Sequence, residues 1–128
     1  GFALSKKLRK EEGTVYVIMS DGEMQCGTLW EAGLIMNAHK LDNIKVLVDY
    51  NGYQAMGKLV ANIRSGEELD FIPGHNHLEI KKALEGKEQY IFFKTIKGKG
   101  VSFMENDNIW HYKAPNKDEY KKAKEELR

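Results

Sequence analysis

With 128 residues, 41% hydrophobic and 30% charged, the chain has the composition of one folded domain with its own core, too short for two. A net charge of +1 argues against nucleic acid or an anionic membrane surface as a general partner. The single cysteine, Cys26, excludes an internal disulfide and fits a reducing cytoplasm, and no apolar run approaches the roughly eighteen residues of a membrane helix. No signal peptide is visible, and the chain starts at Gly1 within a helical pattern, so it is expected to be a piece of a larger protein.

Phe2 to Glu12 is Lys-rich with apolar residues at Phe2, Leu4 and Leu8, which predicts a helical tail ending at Gly13. Val15 to Met19 is β-branched and apolar and predicts a first strand; Ser20 to Gly27 follows as a polar loop. Thr28-Leu-Trp-Glu31 has the capping-box pattern, with Thr28 as N-cap and Glu31 three residues on, and opens a helix to Lys40. Trp30, Leu34, Ala38 and Leu41 are its expected core face, and the methionines are also expected to be core. Asp42-Asn43 breaks the helix, and Ile44 to Asp49 is the second strand. Strand, helix, strand with a right-handed crossover makes the two strands parallel, and ligands of such sheets bind beyond the carboxyl ends.

Asn51 to Gly66 has glycines and only a weak apolar pattern at Leu59, Val60 and Ile63, so it reads as a loop with one helical turn at most. Phe71-Ile72 is a short strand before Pro73-Gly74, and Asn76 caps a helix that runs to Glu85 and stops at Gly86. Tyr90 to Phe93 is the next strand, followed by a Gly/Lys loop from Lys94 to Gly100. A connection over 101–115 leads to a helix capped by Asn116 and running to Arg128. There are no internal repeats, and the fold class is α/β.

The residues that end the first two strands carry the chemistry. Asp21 and Asn51 offer a carboxylate and an amide oxygen, hard ligands suited to Mg²⁺ or Ca²⁺ and poor for Zn²⁺. Gly22 and Gly52 follow them and let backbone approach a bulky anion. Asp21-Gly22 and Asn51-Gly52 are also common turn formers, so two plain strand-end turns fit the same residues.

Ser20-Asp-Gly-Glu23, Trp30-Glu-Ala32, Leu41-Asp-Asn43 and Val48-Asp-Tyr-Asn-Gly52 resemble the thiamine-diphosphate motif of the transketolases, a Gly-Asp-Gly followed further on by Asn. The separation of positions 21 and 51 matches that motif. Lys94-Thr-Ile-Lys-Gly-Lys-Gly-Val-Ser-Phe-Met104 and Trp110-His-Tyr-Lys-Ala-Pro115 resemble the late part of the same domain. The resemblance implies a single thiamine-diphosphate-binding domain over residues 1–128: an incomplete three-layer α/β/α parallel sheet. Asp21, Asn51 and the Tyr53 carbonyl would hold Mg²⁺ or Ca²⁺. Gly22, through its backbone, with Glu23, Asn51 and Lys97 would meet the cofactor, and His111 would line the substrate channel. Glu31 would join a glutamate network linking two sites across an oligomer, besides its capping role. The resemblance further implies two-carbon ketol transfer between sugar phosphates, with a pyrimidine-domain subunit or a homo-oligomer completing the site.

The chain also departs from the family pattern. Ser20 stands where the family prefers Gly, Cys26 where it carries a second glutamate, Met56 where it has Asp, and Tyr112 where it has Gly. The stretch from Gly57 to Gly74 reads as shorter than in the family. The family's upstream Gly-rich contacts and its pyrimidine domain have no match. By this reading the isolated chain holds part of the diphosphate and does not catalyse transfer alone. The alternatives are a non-catalytic cofactor-binding or interaction remnant, and a generic phosphate-binding α/β domain. His75 in Pro73-Gly-His75 is read as a structural turn residue.

Overall fold

The computed structural model describes residues 1–59 and 69–128. Four strands, β1 (Val15–Ser20), β2 (Ile44–Tyr50), β5 (Phe71–Pro73) and β6 (Tyr90–Lys94), form a wholly parallel sheet in the order β1-β2-β6-β5. Two short strands, β3 (Tyr53–Gln54) and β4 (Gly57–Lys58), make a separate antiparallel hairpin directly after the end of β2. Among the described residues the helices are α1 (Phe2–Arg9), α2 (Gly27–Ala38), α3 (His77–Glu85) and α4 (Lys117–Glu126), with 3₁₀ turns at Gly22–Gln25 and Asn108–His111. The expected α/β class with a parallel sheet is what the chain adopts. The predicted loop residues Val60, Ile63 and Gly66 lie outside the described residues.

Parallel pairing puts Met19 beside Val48 and Val48 beside Phe92, so one face of the sheet carries a row of apolar side chains. Val46, Val48, Tyr50 and Phe92 are buried there with Ala3, Met24, Met36 and Leu41 from the helices and loops above them. Ile91 and Phe93, on the opposite face of β6, are buried too. Near-continuous burial in the inner strands is what a parallel sheet requires, since helices cover both faces of its middle. The edge strand β1 is different, with Tyr16 and Ile18 exposed.

Several predicted boundaries shift for local reasons. α1 ends at Arg9, not at Gly13. Lys10 adopts the left-handed conformation, its N–H bonds Lys7 O, and Glu11 N–H bonds Lys6 O, which satisfies the last carbonyls in a Schellman pattern. α2 starts one residue before Thr28, with Cys26 at the N-cap and no side-chain cap bond, so the predicted capping box of Thr28 and Glu31 does not form. The 3₁₀ turn Gly22–Gln25 delivers the chain already coiled, and Leu29 N–H bonds Cys26 O, leaving Thr28 inside the first turn. By contrast, Asn76 accepts from the N–H groups of Leu78 and Glu79 as expected. Asn116 and Glu119 make a complete capping box on α4.

The expected core face of α2 is also corrected. Trp30 and Leu34 are exposed, Leu34 at 71%, and among the residues of α2 the buried one is Met36. The helix is apolar on all sides, so its sequence period does not select the face that meets the sheet. Of the methionines, Met19, Met24 and Met36 are buried, while Met56 is 91% exposed on the hairpin turn.

Candidate functional site

The carboxyl ends of β1, β2 and β6 lie side by side, because Ser20 pairs with Asp49 and Tyr50 with Lys94. Each strand leads straight into a polar residue: Asp21 after β1, Asn51 after β2, Thr95 after β6. Asp21 N–H donates to Asp49 O at 3.1 Å, and Thr95 N–H donates to Tyr50 O at 3.2 Å, so the ladder carries each turn a residue past its strand.

Asp21 is the centre of the arrangement. Its side chain is 1% exposed, Oδ2 accepts the Gly52 N–H at 2.6 Å, and Oδ1 has no hydrogen-bond partner among the described residues. Burial pushes its carboxyl above the ordinary range, and the nearby Asp49 charge adds to the rise. The N–H groups of Gly52, Gly22 and Asn51 pull the other way. Gly52 presents its N–H from a positive φ of 80°, a conformation that suits glycine. Gly22 is packed closely on β3: a Cβ there would stand 3.1 Å from Gln54 Cβ.

The second predicted ligand is brought to the same notch, since Asn51 immediately precedes the glycine that bonds Asp21. Asn51 Oδ1 accepts Tyr53 N–H at 2.8 Å, and its Nδ2 donates to Asp49 Oδ2 at 3.3 Å. The other Asp49 oxygen accepts the Thr95 hydroxyl. Sequence reasoning misses Asp49 and Thr95. The spacing Asp49-x-Asn51 at a strand end is the signal available for the first, because residues two apart on a strand share a face.

The remaining predicted residues divide. Tyr53 opens the hairpin, and its hydroxyl donates to Asn106 O at 2.6 Å. Asn108 Nδ2 and Tyr112 Oη donate to Ala55 O at 3.2 and 2.6 Å, so the segment that carries His111 is tied to the hairpin following Asn51. His111 itself is exposed, its ring 4.9 Å from that of Tyr112 and not stacked on Trp110. Trp110 packs on Phe103 instead. Lys97 is partly buried in the turn after β6, and its backbone O accepts Asn106 N–H at 2.9 Å. Glu23 folds back on its own loop, where its carboxylate accepts Ser20 N–H at 2.7 Å and the Ser20 hydroxyl at 3.1 Å. Glu31 is exposed on α2 with no hydrogen bond or ion pair among the described residues. No group of three or more His, Cys, Asp or Glu able to hold a metal occurs among the described residues. The Asp21 notch offers instead a carboxylate with one unbonded oxygen close to the Asn51 amide, hard oxygen donors of the kind a divalent cation takes alongside phosphate and water.

No protein-family profile matches the chain. It is similar to an apulose-4-phosphate transketolase subunit of Actinobacillus succinogenes, 32% identical over 100% of this chain and 52% of that one. It is 34% identical to a 6-deoxy-6-sulfo-D-fructose transketolase subunit of Clostridium sp., over 99% of this chain and 52% of that one. Human transketolase is 31% identical over 84% of this chain and 19% of its own length. The chain spans about half the length of the curated subunit relatives it matches. In the crystal structure of transketolase from Campylobacter jejuni, a region of the same fold covers 98% of this chain and 23% of that one, with a TM-score of 0.83 and 28% identity.

Proposed function

Taking the chain as the transketolase homologue it is by sequence and fold, we propose that it supplies the diphosphate- and Mg²⁺-binding part of a transferase acting on sugar phosphates. The observation that carries this reading is the Asp21 carboxylate, buried at 1% exposure with one oxygen on Gly52 N–H and the other unmatched among the described residues. A buried anionic oxygen without a partner costs stability unless a cation meets it. Asp21 and Asn51, with the carbonyl of Tyr53, would hold Mg²⁺, and Ca²⁺ suits the same oxygens. Gly22 would let the backbone approach the diphosphate, and Lys97 would offer it a positive charge.

Thiamine diphosphate, once bound, supplies the nucleophilic carbon needed to move a two-carbon ketol group. The chain's own contributions are narrower. Asn51 is held by Asp49 and by the Tyr53 N–H, which restricts its amide to one orientation. His111 would hold or pass a proton at a ring nitrogen opposite a substrate hydroxyl, as an imidazole can near neutral pH. Glu23 closes the loop after β1 by bonding Ser20, so its support for the cofactor is indirect.

Activity is proposed for an assembly, not for the isolated chain. Three of the relatives are themselves named as subunits of transketolases. Here α2 presents Trp30, Leu34 and Ile35 to solvent at 40%, 71% and 53% exposure, an apolar face that suits a partner carrying the pyrimidine-binding part. Titration calorimetry with thiamine diphosphate and Mg²⁺ tests the site: wild type should bind, and Asp21→Ala should not. Equal affinity in both proteins would remove the metal assignment, and an equal response to any nucleotide would favour a generic phosphate site. A non-catalytic role is the second reading, favoured by Cys26, exposed where the transketolase pattern expects a glutamate. It predicts no ketol transfer with any partner, and Cys26→Glu alone restores none.

A further inference from the structure

We propose that His75 is a positioning residue for the diphosphate site, holding the turn after β6 so that Thr95 and Asp49 together fix the Asn51 side chain. The inference rests on the reading of Asn51 as a cofactor-site ligand and extends it to residues on the far edge of the sheet. Pro73 pairs with Lys94 at the end of β5, and Gly74 N–H then donates to Lys94 O at 2.8 Å. The two turns are in close contact there: a Cβ at Gly74 would stand 2.8 Å from Lys94 O and nearer still to Thr95 Cγ2. His75 follows, and its Nε2 accepts the Ile96 N–H at 2.8 Å. That bond makes His75 an acceptor at Nε2 and fixes the backbone on the far side of Thr95.

Thr95 is thereby held from both directions, by its own N–H on Tyr50 O at 3.2 Å and by the Ile96 bond to His75. Its hydroxyl meets one oxygen of Asp49, whose other oxygen accepts Asn51 Nδ2 at 3.3 Å. The sequence of contacts His75, Ile96 N–H, Thr95, Asp49, Asn51 crosses three adjacent strands, β5, β6 and β2, in their spatial order. A side-chain amide held in this way keeps its oxygen aimed without reorganisation when a ligand arrives. The same turn carries Lys97, so the bond to His75 also limits where that lysine's backbone sits.

The test uses the 128-residue chain with thiamine diphosphate and Mg²⁺ in titration calorimetry, and amide hydrogen exchange on the cofactor-free protein. His75→Leu keeps bulk and removes the acceptor; His75→Gln places a carbonyl oxygen near the position of Nε2. His75→Leu should weaken cofactor binding by about tenfold, the range seen for residues that orient ligands from behind. It should also speed exchange at Ile96 and at the Asn51–Tyr53 amides, while His75→Gln recovers most of both losses. Thr95→Val should behave as His75→Leu does, and Thr95→Ser as wild type. Wild-type affinity in His75→Leu, or equal losses in the Leu and Gln variants, overturns the positioning role. A wild type that binds no cofactor sinks the diphosphate reading, and exchange then decides the relay alone: unchanged protection at Asn51–Tyr53 in His75→Leu overturns it.

Discussion

Asp21→Asn should make the metal-free chain more stable while removing its response to Mg²⁺. The wild-type side chain is 1% exposed, with Oδ2 bonded to Gly52 N–H at 2.6 Å and Oδ1 unmatched among the described residues. An unsatisfied buried charged acceptor costs about 2–3 kcal/mol, and the charge-assisted bond to Gly52 exceeds a neutral one by about 1 kcal/mol. The amide removes both effects but leaves a neutral NH₂ unpaired at that position at a cost of about 1 kcal/mol, so the net gain is up to about 1 kcal/mol, roughly 2–4 °C in Tm for a domain of this size. Relief of repulsion from Asp49 acts in the same direction. The pH dependence follows from linkage. Because the folded carboxyl titrates above its ordinary value, the folded chain binds this proton more tightly than the unfolded chain. The stability from that proton is complete below the ordinary carboxyl pKa and is lost as pH rises through the raised folded value. Asn stands in for the protonated form, so its advantage should be largest near neutrality and close in acid. Thermal unfolding by circular dichroism in a chelating buffer at several pH values, repeated with Mg²⁺ and thiamine diphosphate, measures this. A lower Tm for Asp21→Asn in chelator, or an advantage independent of pH, would refute the argument from the buried carboxylate.

Gly74→Ala should cost about 1–3 kcal/mol in denaturant unfolding, because its methyl meets Lys94 O at 2.8 Å and Thr95 Cγ2 nearer still. Gly27→Ala, where a Cβ meets nothing within 4 Å, should change stability by less than about 0.5 kcal/mol; equal losses at both sites would contradict the packing described for the 73–75 turn. The Glu126 carboxyl is held below its ordinary range by the Ser102 N–H and then by its hydroxyl, so it stabilises the fold above the ordinary carboxyl pKa and that contribution fades as pH falls through the lowered value. Urea midpoints should therefore show Glu126→Gln weakened at neutral pH and closer to wild type in acid. Leu34→Glu, at a position 71% exposed, should leave the circular dichroism spectrum intact while reducing self-association or partner binding in sedimentation velocity; unchanged association would remove α2 as the contact face.

The parts of this fold readable from sequence are those decided locally. β-branched runs ending at Asp21 and before Asn51 mark two parallel strands, the inner β2 largely buried and the edge strand β1 largely exposed, and their polar end residues stand at the expected carboxyl edge. Asn76 and Asn116 cap their helices as the pattern predicts, since a side-chain oxygen needs only the next two or three N–H groups. The start of α2 departs from its pattern because Thr28-Leu-Trp-Glu31 satisfies a local rule that the preceding 3₁₀ turn overrides. Its buried face departs too, because an all-round apolar helix has no period to follow. The support of the site is hidden from sequence for a different reason. Thr95 to Asp49, Ile96 to His75 and Tyr112 to Ala55 join residues far apart in the chain, and only the strand order β1-β2-β6-β5 and the placement of the hairpin bring them together.

That strand order also explains why an unmatched oxygen persists at Asp21. Ladder bonds carry β1 and β2 past their ends, so Asp21 N–H is committed to Asp49 O and its side chain is drawn under the Gly52 turn. The neighbouring carboxylate of Asp49 has both oxygens engaged, by Thr95 and Asn51. Packing on Gln54 narrows the space beside Gly22 without adding a donor to Oδ1. Under the proposed reading, a divalent cation at that oxygen would turn a local cost into stabilisation. A ligand that binds only the folded state raises its stability in proportion to the logarithm of ligand concentration over Kd. The Tm of wild type should accordingly climb with Mg²⁺ and thiamine diphosphate together, from a starting point below that of Asp21→Asn, and the two melting curves should cross as the cofactor concentration rises.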